Sequence, residues 1–252
     1  MKIAIITGAS SGLGVEFAKE IDKSRHDINE IWLIARREDK LNELARLLNK
    51  QTKIIPMDIT DENSLSIYKT ILTETNPDVK LLINNAGFGK LGDFTDIPTK
   101  ENTGMVRLNC ESLTAITSIT LPFMKEDSEI INSCSIASFA PNTRMAVYSS
   151  TKAYVMSFSR ALRSELKKQK INVLAACPGP MDTEFLSVAG IGKGKSFTFD
   201  TLPRVNPNTM AKKSLIASKK KKAVYTNRFF YKFYRILAKI LPHSLVMKMA
   251  GT

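Results

Sequence analysis

Lys2-Ile3-Ala4-Ile5-Ile6-Thr7 is a short β-branched run that stops at Gly8, and apolar residues then recur at Phe17, Ala18 and Ile21. An unbroken apolar run of that length predicts a strand buried on both faces, and the helical spacing after it predicts strand, glycine turn, helix. The alternation continues along the chain. Further strands are predicted at 31–35, 53–57, 80–83, 130–134 and 171–176, with a short one at 223–226. Between them, leucine at positions 41, 44, 47 and 48 predicts an amphipathic helix over 38–49. Helices are also predicted at 61–75, capped by Thr60 or Asp61; at 105–124, containing Asn109 and closed by Pro122; and at 147–168. Strands alternating with helices predict an α/β chain with a parallel sheet covered on both faces.

The 252 residues suit one such domain, and no internal repeat divides them. Cys110, Cys134 and Cys177 are odd in number and scattered, which predicts buried thiols and neither a disulfide framework nor a metal site. With only His26 and His243, far apart in sequence, a Ser-His-Asp hydrolase or a His-ligated metal enzyme is poorly supported. The apolar opening is too short for a signal peptide and no apolar run is long enough to span a bilayer, so the expected location is cytoplasmic, with contact at a membrane periphery left open by the C-terminus. Charge is uneven: of the net +13, almost all arises after Thr201, where twelve Lys and Arg meet no Asp or Glu. The expected division is a catalytic domain over 1–226, with a substrate loop at 184–206, and a basic amphipathic helical extension over 227–252.

Candidate chemistry clusters at the strands' carboxyl ends. Gly8-Ala9-Ser10-Ser11-Gly12-Leu13-Gly14 follows the first strand. Without Cβ atoms, backbone approaches a pyrophosphate whose charge the opening N–H groups of a helix meet; a tight βα connection is the plainer reading. Arg36-Arg37 ends the second strand where an acid would bond a ribose 2′-hydroxyl, so NADP(H) is favoured over NAD(H). Asp58-Ile59 and Asn84-Asn85-Ala86-Gly87 close the third and fourth strands. On a helix, Tyr148 and Lys152 share one face, and an ammonium beside a phenol lowers its pKa into the range of a general acid/base. Alone, such a pair also occurs by chance on solvated helix faces.

Taken together and in order, Thr7…Gly8…Gly12…Gly14, Asp58, Asn84-Asn85-Ala86-Gly87, Asn109, Ser135, Tyr148…Lys152 and Pro178-Gly179…Thr183 resemble the short-chain dehydrogenase/reductase superfamily over about residues 1–190. The resemblance implies a Rossmann-like, doubly wound fold and nicotinamide-dependent carbonyl/alcohol chemistry. It implies that Tyr148 donates the proton, Lys152 lowers its pKa and holds the nicotinamide ribose, Ser135 bonds the same substrate oxygen, and Asn109 holds a water linking Lys152 to solvent. Gly8, Ser10, Gly12 and Leu13 are then expected at the pyrophosphate, Asp58 and Ile59 at the adenine, Asn85 and Ala86 at the adenosine ribose, and Thr183 at the carboxamide, with Ser11, Gly14, Gly87, Pro178 and Gly179 also expected at the cofactor.

The substrate loop carries Gly190, Gly192 and Gly194 among lysines, and Phe185, Phe197 and Phe199 are candidates to line an apolar pocket. In the tail, Arg228, Lys232, Arg235 and Lys239 form a basic stripe on a helix otherwise covered by Phe229, Phe230, Phe233, Ile236, Leu237, Ile240 and Leu241. That pattern fits a helix packed over a cleft or a subunit, the favoured reading, and equally a helix lying on a membrane. Nucleic acid is not expected. The leading expectation is an NADPH-dependent oxidoreductase of a lipophilic ketone or secondary alcohol, a homodimer or homotetramer; the alternative is a nucleotide-binding, membrane- or partner-associated protein without useful turnover.

Overall fold

Strand β1 (Lys2–Thr7) sends Ala4 and Ile6 into one hydrophobic core and Ile3 and Ile5 into another. β2 (Glu30–Ala35) divides the same way, Ile31 and Leu33 against Trp32 and Ile34. The computed structural model describes residues 1–191 and 201–249. In it β3 (Gln51–Pro56), β4 (Asp78–Asn84), β5 (Glu129–Ser133), β6 (Asn172–Ala176) and β7 (Val224–Tyr225) join the first two in one sheet, ordered β3-β2-β1-β4-β5-β6-β7 with every pairing parallel. The predicted doubly wound α/β fold is therefore present. The order reverses between β1 and β4, and such a switch point opens a crevice at the strands' carboxyl ends.

Helices cover both faces. α1 (Gly12–Ser24), α2 (Glu38–Ala45) and α8 (Pro207–Lys219) pack Phe17, Ile21, Leu41, Met210 and Leu215 on one side. α3 (Glu62–Thr75) and α5 (Leu113–Thr120), with the C-terminal turns of α6 (Ala146–Glu165), pack Tyr68, Leu72, Ile116 and Leu162 on the other. Asp61 caps α3 by accepting from Ser64 N at 2.8 Å, one of the two predicted caps. A buried polar seam fixes α6 to the sheet. Asn84 Nδ2 donates to Thr117 Oγ1 and to Asn132 Oδ1, each at 2.9 Å, and Asn132 Nδ2 donates to Ser159 Oγ at 2.9 Å. Inside a core such bonds hold only when mutually satisfied, so they define one register for the helix.

Four elements differ from expectation. α2 stops at Ala45, not 49, because the Asp22 carboxylate captures the N–H groups of Asn49 and Lys50 at 3.0 and 2.8 Å. The single helix expected over 105–124 begins earlier, as α4 (Thr99–Val106), and passes through a π-helical turn, Arg107–Ser112, before α5. α7 (Glu184–Val188) forms inside the stretch read as a loop, and α8 forms beyond it, where no element was predicted; Asn206 caps α8 by accepting from Thr209 N, with Pro207 at its first position. The C-terminal helix ends at Pro242, giving α9 (Phe229–Ile240) and α10 (His243–Met249). The glycines at 192 and 194 and the phenylalanines at 197 and 199 lie outside the described residues.

At the amino end of β5, Arg25 is buried between Glu129 Oε1 and Asp27 Oδ2, each at 2.9 Å. Its guanidinium holds the Asp27 carboxyl down to about 2, while burial pushes Glu129 up. Asp27 thus stabilises the fold above the ordinary carboxylate range, and that contribution is lost as pH falls through about 2. Arg25→Ala leaves Glu129 a buried carboxylate without its cation, a loss of about 3–5 kcal/mol in a denaturant titration at neutral pH. The deficit against wild type should narrow as pH falls and Glu129 takes up a proton.

Candidate active site

The site starts where β1 ends. Thr7 Oγ1 accepts from the N–H groups of Asn85 and Ala86 at 3.0 and 3.2 Å, so the loops leaving β1 and β4 are tied together at their roots. Gly8 stands at φ +67°, and a Cβ on it would lie 2.8 Å from Ala86 Cα. A Cβ on Gly14 would lie 2.1 Å from the Gly8 carbonyl oxygen. These two positions admit no side chain, and the chain can fold back on itself only with glycine there. Asn85 completes the knot: its Nδ2 donates to Gly8 O at 3.1 Å and its Oδ1 accepts from Ser133 Oγ at 3.1 Å.

Helix α1 opens at Gly12 with Ser11 in the capping position, but no side chain caps it and its first turn holds no acid. The N–H groups that begin it are left for an anion, as a pyrophosphate-binding turn requires. Beyond the end of β2, Arg36 is exposed and reaches Asp58 Oδ2 only at 4.0 Å. Arg37 donates to Glu184 Oε2 at 2.8 Å and to Ser10 Oγ at 3.2 Å, and the guanidinium holds the Glu184 carboxyl below its usual range. Asp58 accepts from Thr60 N and Oγ1 at 2.9 and 2.7 Å.

Tyr148 and Lys152 lie one turn apart on α6, both buried. Lys152 Nζ donates to the Ser133 carbonyl at 2.8 Å and stands 5.7 Å from the Tyr148 ring centre. Burial lowers the Lys152 ammonium and raises the Tyr148 phenol; a hydrogen bond with the Ser135 hydroxyl opposes the rise. Burial therefore raises the phenol, where the lysine was expected to bring it down. The neighbouring serines are otherwise occupied, Ser133 on Asn85 and Ser138 on the Ser135 carbonyl at 2.6 Å, which leaves Ser135 as the hydroxyl beside the phenol.

A cleft of about 1240 Å³ runs from Arg36 and Asp58, past Gly12 and Ala86, to Tyr148 and the C-terminal helices. It exceeds the roughly 300–1,000 Å³ of single-ligand pockets. All the predicted site residues line it except two. Gly14 lies behind Gly8. Asn109, in the π-helical turn, accepts from Phe88 N at 3.0 Å and donates to Phe88 O and Thr151 Oγ1 at 2.8 and 3.0 Å. Its side chain braces the loop after β4 against α6. The sequence reading missed Met145 and Phe88, which pack with Tyr148 and Phe185, and Ser133, whose carbonyl holds the lysine. The C-terminal helix, expected to pack over a cleft or a subunit, supplies Phe230, Tyr234, Leu237 and Leu241 as one wall of the cleft. The broad apolar face of that tail was the available signal. The three cysteines are free and buried, as expected.

Residues 2–191 match the model of the short chain dehydrogenase family. An uncharacterised oxidoreductase of Staphylococcus epidermidis is 29% identical over 196 residues, covering 77% of this chain and 84% of the relative. Two solved structures have the same fold. A short-chain dehydrogenase from Sphingobium yanoikuyae in complex with NADPH is 23% identical with a TM-score of 0.79, over 96% of this chain and 97% of that one. The bulky-bulky ketone specific alcohol dehydrogenase from Comamonas testosteroni is 25% identical with a TM-score of 0.76, over 95% and 91%. With the glycine turn, the switch-point cleft and the Ser135, Tyr148 and Lys152 side chains in place, the chain belongs to the short-chain dehydrogenase/reductase family, oxidoreductases that interconvert alcohols and carbonyls with a nicotinamide cofactor.

Proposed function

We propose that the protein is an NADPH-dependent reductase of lipophilic ketones, run in the reverse direction when alcohol and oxidised cofactor prevail. The observation that carries this reading is the buried Tyr148, with Ser135 and Lys152 beside it at the cleft, facing an apolar wall of Met145, Phe185, Tyr234 and Leu237. The uncapped opening of α1 and the glycines before it fit a pyrophosphate, and Arg36 and Arg37 fit a 2′-phosphate. Asp58 and Ile59 would flank the adenine, Asn85, Ala86 and Gly87 its ribose, and Pro178, Gly179 and Thr183 the carboxamide. A bound nicotinamide cofactor supplies the hydride.

The chain supplies the rest. Tyr148 and Ser135 direct two hydroxyls at one carbonyl oxygen, where negative charge builds as the carbonyl carbon is reduced. Tyr148 then gives its proton to that oxygen. Because burial keeps the phenol protonated through neutral pH, reduction needs no prior proton uptake. Lys152, one turn away, favours the phenolate that remains. Asn109 holds the loop after β4 at a fixed distance from α6, and hence from Lys152. The apolar wall favours a bulky substrate: a 3-oxoacyl thioester, a steroid-like ketone or a xenobiotic carbonyl. The specificity of the Comamonas enzyme for bulky-bulky ketones supports that class.

Two measurements test the reading. Tyr148→Phe should lower turnover with NADPH and any accepted ketone by about 10²–10⁴-fold while leaving NADPH binding intact. Retention of more than roughly a tenth of the wild-type rate, against that expected loss, would remove Tyr148 from the proton-donor role. Arg36→Asp should weaken NADPH by about 1.5–3 kcal/mol, the value of a charge-assisted hydrogen bond, and turn preference towards NADH. Equal wild-type kcat/KM with the two cofactors contradicts the 2′-phosphate assignment.

A further inference from the structure

Around α9, at about 100° per residue, four sectors are occupied differently. Tyr231 and Ala238 face inward and are buried. Phe230, Tyr234 and Leu237 face the cleft. Phe229, Ile236 and Ile240 stand outward, with Phe229 83% and Ile240 72% exposed, and Phe233 stands at the border, lining the cleft as well. Lys232, Arg235 and Lys239 close the circle, all exposed and without an acidic partner among the described residues. The inner face is already committed. Tyr231 lies so close over Gly179 that a Cβ there would be 2.3 Å from the ring, and its hydroxyl donates to Pro203 O at 2.7 Å. The outward stripe is therefore not part of this chain's core, and a contiguous exposed apolar stripe marks a contact surface.

We propose that α9 is a docking surface for an anionic lipid bilayer, lying in the interface with Phe229, Ile236 and Ile240 in the acyl boundary and Lys232, Arg235 and Lys239 at the headgroups. Charge decides between occupants. A second copy of this helix brings more cations and no acid, because no Asp or Glu follows Asp200. An anionic leaflet supplies both an apolar interior and the opposite charge. The lysine run at 219–222 takes no part: Lys219 and Lys221 reach Asp27 and Asp127 at 4.0 and 3.2 Å, beside the strands' amino ends. Among the described residues no helix is long and apolar enough to cross a membrane, so the contact is peripheral. Since Phe230 and Leu237 are cleft wall on the same helix, docking sets the cleft beside the bilayer surface.

The test is flotation of the full chain with vesicles of phosphatidylcholine and phosphatidylserine. The chain should float with these, stay behind with phosphatidylcholine alone, and be released as salt rises. Phe229→Ser/Ile236→Ser/Ile240→Ser should abolish flotation. Lys232→Glu/Lys239→Glu should lower partitioning about fivefold for each unit of charge removed. Both variants should keep wild-type turnover of a small water-soluble ketone, and flotation itself is independent of the carbonyl chemistry. Failure to float on anionic vesicles, or flotation unchanged in both variants, overturns the proposal. So does sedimentation showing that the serine variant halves the mass of the free protein, since a second copy would then be what covers the stripe.

Discussion

A buried ammonium sits at the centre of this structure. Lys152 is enclosed in α6 with the Ser133 carbonyl as its hydrogen-bond acceptor, and among the described residues no ion pair includes it. Taking a charge from water into a core is costly, and burial accordingly lowers its pKa. Packing alone gives no reason to place a lysine there, whereas a site that must hold a phenolate does. The surrounding order follows from keeping that charge in place. The Asn84, Asn132 and Ser159 chain fixes α6 against β4 and β5, and Asn109 fixes it against the loop that follows β4. Ser135 leaves β5 two residues beyond the carbonyl that holds Lys152, so the hydroxyl beside Tyr148 and the acceptor of the lysine move together.

The same economy appears at the switch point. Thr7 and Asn85 bind β1 to β4 through side-chain hydrogen bonds, and the glycines let the two loops cross without side chains between them. What remains open is a groove of backbone N–H groups ending at two arginines. Arg37 is already engaged by Glu184 on α7, so a phosphate at that end would meet a cation with a prior partner and Arg36 with only a distant one. The α7 carboxylate thus links the arginines at one end of the cleft to the segment that carries Phe185.

Much of this was legible before any coordinates. Uniform apolar runs ending at small or polar residues gave six strands to within a residue or two at most ends, because a strand buried on both faces has nowhere to put a charge. The cofactor-side cleft residues were legible because they stand at strands' carboxyl ends, where chemistry collects in this topology, and Tyr148 and Lys152 because they stand one turn apart on α6. The misses were set by tertiary contacts that leave little local trace. The π-helical turn is one inserted residue, and its signature is the inward turn of Asn109, not a break in periodicity. The end of α2 is decided by Asp22 on another helix. Which part of the tail's broad apolar face meets the body is decided by Gly179 under Tyr231, far away in the sequence.

The central claim is that Lys152 makes Tyr148 a usable acid/base despite burial that drives the phenol up. The most direct measurement is the pH profile of kcat for alcohol oxidation, which needs the phenolate, in wild type and in Lys152→Met. The account predicts a rate that rises with pH and levels off, with the midpoint in Lys152→Met displaced upward by about 1–3 units, the range an opposite charge exerts at short distance. An active Lys152→Met enzyme whose midpoint coincides with that of wild type would contradict it.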